Sequence, residues 1–372
     1  MSNASRIFYP THACAFSQPG SLAFTEVHGL QSIGINTTFN LEQVFEIGQI
    51  DLYENIEGTP DIEVTTEKVL DGYPLVYHHA TKGSASATLV GRSATKTIMG
   101  VSIYGDTQDS ASGVPISQVT MSGLAVSAFS YNFVTDGNFT ESVTMVGNDK
   151  VWKTAIPFTF SGNFTNTDFP LSIAGSGGVN RREDFIWQGL GTGVYVLDAN
   201  SHIAYAGGGV YRSILPGGGG GGIPGLTASG SNPLLADGTY NSRIQSVAIS
   251  TDLGREELFQ LGRRNPYFRF VTFPIEVTCD VEVIATSGDL VEATEDGVLG
   301  NGNNLADKTI HVYVREGTAI NLGTKNKLNS VTHSGGDTGG ANVSLTYSYS
   351  NFNFCSVFHW NDPTTSLRIP QP

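Results

Sequence analysis

Carboxylates at alternate positions are the side chains of this chain most able to do chemistry. Glu276, Asp280 and Glu282 lie with Thr278 on one side of the run Ile275 to Val283, whose other side is Ile275, Val277, Cys279, Val281 and Val283. Glu63 and Glu67 hold the corresponding side of an earlier run that begins Ile62-Glu63-Val64-Thr65. A period of two puts such residues on one face of a strand. A carboxylate-lined wall repels phosphate over about a Debye length, roughly 8 Å at physiological salt. Other carboxylates are candidates for catalysis. Glu256-Glu257, or the acids from Asp289 to Asp296, would supply the pair that glycoside hydrolysis needs, but no aromatic-lined cleft accompanies either.

The remaining reactive residues lack their partners. His78-His79 and His12-Ala13-Cys14 have no second pair at metal-ligand spacing, and no Gly-x-Ser-x-Gly elbow occurs. Gly189-Leu190-Gly191-Thr192-Gly193 and Gly175-Ser176-Gly177-Gly178 are not set between a hydrophobic strand and an amphipathic helix, as a phosphate loop requires. The loop Asp289 to Asp307 departs from the EF-hand pattern. Asn36-Thr37-Thr38, Asn138-Phe139-Thr140 and Asn163-Phe164-Thr165 match the glycosylation pattern, which is incidental in a Thr-rich chain without a leader. The expectation is no catalytic residue, no metal and no cofactor.

The elements that position the carboxylates occur twice. Gln31-Ser32-Ile33-Gly34-Ile35-Asn36-Thr37 returns 214 residues later as Gln245-Ser246-Val247-Ala248-Ile249-Ser250-Thr251. Leu41 to Gly48 returns as Arg255 to Gly262, Ile62-Glu63-Val64-Thr65 as Ile275-Glu276-Val277-Thr278, and Lys96-Thr97-Ile98 as Lys308-Thr309-Ile310. Ser130-Tyr131-Asn132-Phe133 is echoed by Ser348-Tyr349-Ser350-Asn351-Phe352. Self-similarity in register predicts two related domains. The expected layout is an N-terminal extension (1–19), copy one (20–152), a connecting region with the run Gly217 to Gly222 (153–235), copy two (236–361) and a C-terminal tail (362–372).

Within each copy the residues predict strands joined by turns, with one short helix. Forty-five glycines and an abundance of Thr, Ser, Val, Tyr and Phe favour a mainly β chain. Leu41 to Ile47 and Arg255 to Leu261 read as helices of about two turns. Asn40 with Gln43, and Gly254 with Glu257, resemble capping boxes, and Gly48 and Gly262 sit at C-cap positions. Leu345, Tyr347 and Tyr349 alternate and then change phase at Asn351-Phe352, which predicts a β-bulge. The stretch Ile98 to Tyr104 alternates poorly.

Charge bounds the partners. The chain of 372 residues carries a net charge of −14. Acids outnumber bases 15 to 5 over residues 20–150 and 14 to 9 over 236–360, but only equal them, 4 to 4, over 152–235. The acidity lies in the repeats, which argues against binding nucleic acid by phosphate neutralisation. Cys14, Cys279 and Cys355 form no metal motif, and their odd count argues for free thiols in a reducing cytosol. No apolar leader and no run of eighteen apolar residues predicts secretion or membrane insertion.

Several blocks resemble the major tail tube proteins of long-tailed bacteriophages. They are Glu57 to Val64 with Lys68 to Leu75, Asn138 to Trp152, Gly178 to Asp184, and Gly254 to Arg264 with Pro266-Tyr267-Phe268-Arg269. The resemblance implies two homologous β-sandwich or barrel tube domains, each with a short flanking helix, joined by the Gly-rich connector. It also implies a structural virion protein and not an enzyme. Rings of such domains stack into the tail tube that conducts DNA into the host. The implied partners are other copies of the chain, the tape-measure protein, tail terminator, baseplate or tail-tip proteins, a sheath protein in a contractile tail, and DNA in passage, but no membrane. The implied location is the virion tail, assembled in the host bacterial cytoplasm. Six tube domains per ring and two per chain predict a homotrimeric, pseudo-sixfold ring. On this reading Glu63, Glu67, Glu276, Asp280 and Glu282 line the lumen, although alternation alone does not say which face points inward. A β-sandwich decoration or receptor-binding virion protein is the alternative.

Overall fold

Alternating runs rich in Val, Thr and Tyr become antiparallel strands in the computed structural model, and the chain is mainly β. It describes residues 7, 9–154 (except 22, 85, 87, 106–107 and 111–113) and 244–359 (except 286–306, 308–309, 315–317 and 337–341). Between these it describes 179, 181–182, 185–189, 195–197, 203–205 and 209–210. The first part runs from a 3-10 turn (Tyr9–Thr11) through β1 (His12–Ser17), β2 (Thr25–Glu26), β3 (Leu30–Thr38), β4 (Leu41–Phe45), β5 (Leu52–Glu57) and β6 (Asp61–Val69). Two five-residue helices, α1 (Val76–Ala80) and α2 (Leu89–Ser93), precede β7 (Thr97–Ile103), β8 (Ser117–Val134), β9 (Thr140–Gly147) and β10 (Asp149–Lys153). The middle contributes β11 (Phe185–Gly189) and a small sheet of β12 (Tyr195–Leu197), β13 (Ile203–Tyr205) and β14 (Gly209–Val210). The last part holds β15 (Ile244–Asp252), β16 (Arg255–Leu258), β17 (Phe268–Val271), β18 (Glu276–Ile284) and β19 (Ile310–Val314). It ends with β20 (Thr318–Asn321), β21 (Lys327–Ser334), β22 (Ser344–Phe352) and β23 (Ser356–His359).

One sheet runs through both halves. Its order is β3-β6-β9-β8-β15-β18-β22-β21, and every neighbour is antiparallel. The order β3-β6-β9-β8 of the first half has the same connectivity as β15-β18-β22-β21 of the second. Bulges fall at matching places: between Leu30 and Ser32 and between Ile244 and Ser246, then between Val126 and Ala128 and between Leu328 and Ser330. A second layer covers one face of this sheet. In the first half it is β2-β1-β7-β8-β10, with the N-terminal part of the 18-residue β8. The bend that lets β8 serve both layers coincides with its bulge and with Gly123 at φ +68°, a left-handed conformation that glycine adopts without strain. In the second half the layer is β11-β19-β20-β23, where β20 and β21 divide the work of β8.

Several expectations are corrected. The two expected helices, Leu41 to Ile47 and Arg255 to Leu261, are β-hairpins, β4 with β5 and β16 with β17. Gly48 (φ +94°) and Gly262 (φ +84°) do adopt the left-handed conformation, but in hairpin turns, a role that selects the same residue as a helix C-cap. Helices instead lie between β6 and β7; the corresponding stretch of the second half, 286–306, lies outside the described residues. Register places Ile62 opposite Thr37 and Val277 opposite Thr251, so Ile62 matches Val277 and not Ile275. The slip is two residues, which keeps every side chain on its face. Ser130 lies in β8 but Ser348 in β22, the counterpart of β9, so that echo is coincidental.

β22 keeps unbroken register with β18 from Ser344 to Phe352, so no bulge occurs at Asn351. Asn351 is a polar residue on the buried face, and its amide donates to the Leu322 carbonyl at 2.9 Å and to Asn326 Oδ1 at 2.8 Å. β7 alternates poorly because it is the central strand between β1 and β8 and is buried on both faces. The segment expected to be an N-terminal extension contributes β1 to the second layer, and the connecting region contributes β11. The run Gly217 to Gly222 lies outside the described residues. One large apolar core, from Cys14 to Val357, runs through both halves, with a small separate cluster of Ala15 and Phe24.

One buried ion cluster anchors β6. The Lys68 ammonium, fully buried, donates to the His28 carbonyl at 2.6 Å and to Asp71 Oδ1 at 2.5 Å. Burial brings Lys68 below its ordinary range, against the pull of Asp71. Burial pushes the Asp71 carboxyl up, but the hydrogen bond from His28 and the charge and hydrogen bond of Lys68 outweigh it and hold Asp71 below 3.8. A depressed carboxylate stabilises the fold above its unfolded pKa, and that contribution is lost as pH falls through the folded value. Asp71→Asn should therefore cost about 3 kcal/mol at pH 7, and the gap from the native chain should narrow as pH falls below 3.8. Urea unfolding at pH 7 and at pH 3 measures both; an equal gap at the two would contradict the assignment.

Candidate functional site

The face of the eight-strand sheet that the second layer leaves bare is mostly polar, with Val146, Ala248 and Phe352 among its few apolar residues. Glu63 and Glu67 on β6 and Glu276 on β18 are exposed, and Asp280 and Glu282 are half-buried beside them. Pairing carries one row from Ser32 through Glu67, Ser142, Ser130, Ser250 and Thr278 to Ser350, so all five carboxylates share a face across both halves. Ser32 Oγ donates to Glu67 at 3.5 Å, and its counterpart Ser246 Oγ donates to Glu282 at 3.0 Å. Small hydroxyls fill the space between the acids. Lys327, at the outer edge, is the cation this face carries among the described residues, and it is ion-paired to Asp307 at 2.8 Å. The arrangement resists anions.

The junction between the halves is the second feature. β8 and β15 pair edge to edge from Ser246 opposite Val134 to Asp252 opposite Ala128. Leu253 then turns in, fully buried, and its N–H donates to the Ser127 carbonyl at 2.8 Å, at the β8 bulge. Arg255 donates to the carbonyls of Val126 (2.8 Å from Nε) and Ser93 (2.6 Å). Burial lowers this guanidinium to about 10, which leaves it protonated at neutral pH. Arg269 on β17 meets Asp61 at 2.8 Å and also contacts Glu257. Arg264 reaches the Gly58 carbonyl at 3.2 Å, and Thr59 Oγ donates back to the Arg264 carbonyl at 2.7 Å. The β16–β17 hairpin is thereby clamped by arginines over the strand ends of the first half. On the far side α2 joins in, with Arg92 donating to the Val357 carbonyl at 3.3 Å and the His78 ring 3.2 Å from the same oxygen.

The other sequence candidates among the described residues lie within strands, in α1 or in the core. Glu256 and Glu257 are successive residues of a strand and point to opposite faces, so they cannot flank one bond. His78 and His79 are buried in α1, and burial holds His78 well below 6.5. Cys14, Cys279 and Cys355 are free and buried, and burial raises the Cys355 thiol to about 12. Among the described residues no three His, Cys, Asp or Glu gather as metal ligands, and no helix is long and apolar enough to cross a membrane. The acids at 289–296, Gly175 to Gly178, Gly191 to Gly193 and Asn163 lie outside the described residues. Sequence reasoning did not single out Arg255 or Arg269 as junction residues; the change from Leu41 in the first copy to Arg255 in the second was the available signal.

No family model matches the chain, and no curated protein does. Among solved structures it is similar to a chain of the anti-feeding prophage baseplate (10% identity, TM-score 0.31, covering 41% of this chain and 97% of that one). It is similar to a chain of the sheath–tube complex of an extracellular contractile injection system (10%, 0.31, 40% and 93%). A third similarity is to a chain of the virion of a gene transfer agent (10%, 0.26, 38% and 95%).

Proposed function

We propose that this chain is a structural protein of a phage-type tail, built of two fused tube domains, and that three copies close a ring whose stacked repeats conduct DNA. The observation that carries the reading is the continuous sheet. Among the described residues no strand pairs with the outer edge of β3 or of β21, and open edges invite pairing. β3 is the counterpart of β15 and β21 that of β8, the two strands already joined inside the chain. Repeating that junction between chains satisfies both edges and closes the sheet on itself.

The width of the closed sheet favours three chains. Strands about 4.8 Å apart give three chains, with eight strands each, a barrel roughly 37 Å across before tilt, and wider with it. Two chains give roughly 24 Å before tilt, a sixteen-strand barrel with a narrower aqueous channel. The bulk of the second layer and the helices lies on one face, so a closed ring needs that face outside, where the circumference is greater. The bare acidic face then becomes the lumen, with Glu63, Glu67, Glu276, Asp280 and Glu282 on its wall. Ile47 and Leu261, fully exposed at equivalent hairpin tips, are left for contact between successive rings. Tape-measure protein inside the lumen, and terminator, baseplate and sheath outside it, are the partners of such a tube.

Negative-stain microscopy of the purified protein should find hollow cylinders, and cryo-EM should find three chains per ring. Six chains per ring, or halves stacked along the axis, would overturn the stoichiometry. A discrete oligomer that binds host cells would replace a tube with a receptor-binding protein.

A further inference from the structure

We propose that the contact between chains differs in chemistry from the contact within a chain: it is apolar where the internal one is ionic, with Phe39 and Leu41 docking on a second copy of this chain beside Leu328 and Asn329. The proposal rests on the ring described above. Inside the chain the β15–β16 corner is occupied by Leu253, 0% exposed, and by Arg255. The same corner of the first half, between β3 and β4, carries Phe39 and Leu41, 70% and 58% exposed. An apolar side chain that is fully buried in one repeat and bare in the other marks a seat that the second repeat has not yet filled.

The seat can be read from register. β8 corresponds to β21 through the matching bulges, so Val126 and Ser127, which receive Arg255 and Leu253, correspond to Leu328 and Asn329. Asn148, which meets Arg269 and Glu257, corresponds to Phe352, 56% exposed. The arginines are replaced on the docking side as well: Leu41 stands for Arg255 and Asn55 for Arg269, so the ionic clamp cannot form between chains. Apolar groups have appeared together on both sides. Phe45 and Tyr53 continue the exposed surface along the hairpin. The corner is already ordered, since the Asn40 side chain donates to the Thr59 carbonyl at 2.9 Å and to Asp61 at 3.0 Å, and the Asn40 carbonyl accepts from Gly58. A preordered apolar corner docks with little further entropy cost.

The test uses the full chain. The double variant Phe39→Asp, Leu41→Glu should fold like the native chain, because both positions are exposed, with an unchanged urea midpoint. Assembly should then require at least about thirtyfold higher protein concentration by analytical ultracentrifugation. Native assembly should survive 1 M salt, where ionic contacts between exposed groups fail. Separately, Phe39→Cys combined with Asn329→Cys should form disulfide-linked dimers and trimers on mild oxidation, as the adjacency of Leu253 and Ser127 requires. If native chains form rings while the double variant assembles equally well and the cysteines do not cross-link, the apolar dock is wrong and the ring stands. If the cysteines cross-link but no ring forms, the dock stands and the ring fails. Absence of both rings and cross-links overturns the two together.

Discussion

Glu141→Ala should unfold the molecule at concentrations of urea that leave the native chain intact. Glu141 projects from β9 into the core, fully buried, and its carboxylate accepts from the N–H groups of Val76 (2.6 Å) and Tyr77 (3.2 Å) and from Tyr131 Oη (2.9 Å). The first two are orphan donors at the start of α1, whose N-cap residue, Leu75, offers no side chain to satisfy them. A five-residue helix has no stability of its own, so it stays helical only while something outside it holds its end. Truncation strands three buried donors at once and should cost about 3–5 kcal/mol. Burial raises the Glu141 carboxyl above its ordinary value, so part of the cost of the native group is already desolvation. Glu141→Gln keeps one acceptor and should lose less than Ala. A urea-midpoint change below what 1 kcal/mol gives would show that the helix is held elsewhere. The same loss would release Arg92 and His78 from Val357 and loosen the outer layer where the halves meet.

The second large effect concerns the acidic face. Reversing Glu276 and Asp280 to Lys adds six lysines to each three-chain ring at the wall proposed to face DNA. Each would offer a phosphate contact where the native wall repels one. Release of DNA from particles that carry the variant should slow at least about tenfold near physiological salt and recover as salt rises, because such contacts are salt-dependent. The tubes themselves should be unaltered by negative stain, since Glu276 is exposed and Asp280 half-buried, and neither takes part in the β8–β15 pairing. Unchanged release kinetics with intact tubes would place this face elsewhere than the lumen.

The sequence alone determined what depends on the period of two and on repetition. Alternation in Ile275 to Val283 put Glu276, Asp280 and Glu282 on one face, and the structure has them there because β18 is buried on one side only. The alignment of Ile62 with Ile275 was wrong by two residues, yet the faces survived, since a slip of two leaves every side chain where it was. Where alternation failed, at β7, the strand was buried on both sides, a condition that only its neighbours β1 and β8 impose.

Local signals failed wherever two structures use the same residues. A capping residue before Leu41 and a left-handed glycine at Gly48 suit a short helix and a hairpin equally. The partner strand β5, which satisfies the backbone of β4, decided between them. Tertiary pairing likewise placed β1 beside β7 and β11 beside β19, strands remote from them in sequence. The joining of the halves was decided by tertiary structure alone. Arg255 looks like any surface arginine until Val126 and Ser93 present their carbonyls to it, and Phe39 looks like an ordinary core residue until the fold leaves it bare. Periodicity records which side of a strand is apolar; which edges remain open, and what covers an exposed side chain, depends on pairings between residues far apart in the chain, and no local pattern encodes them.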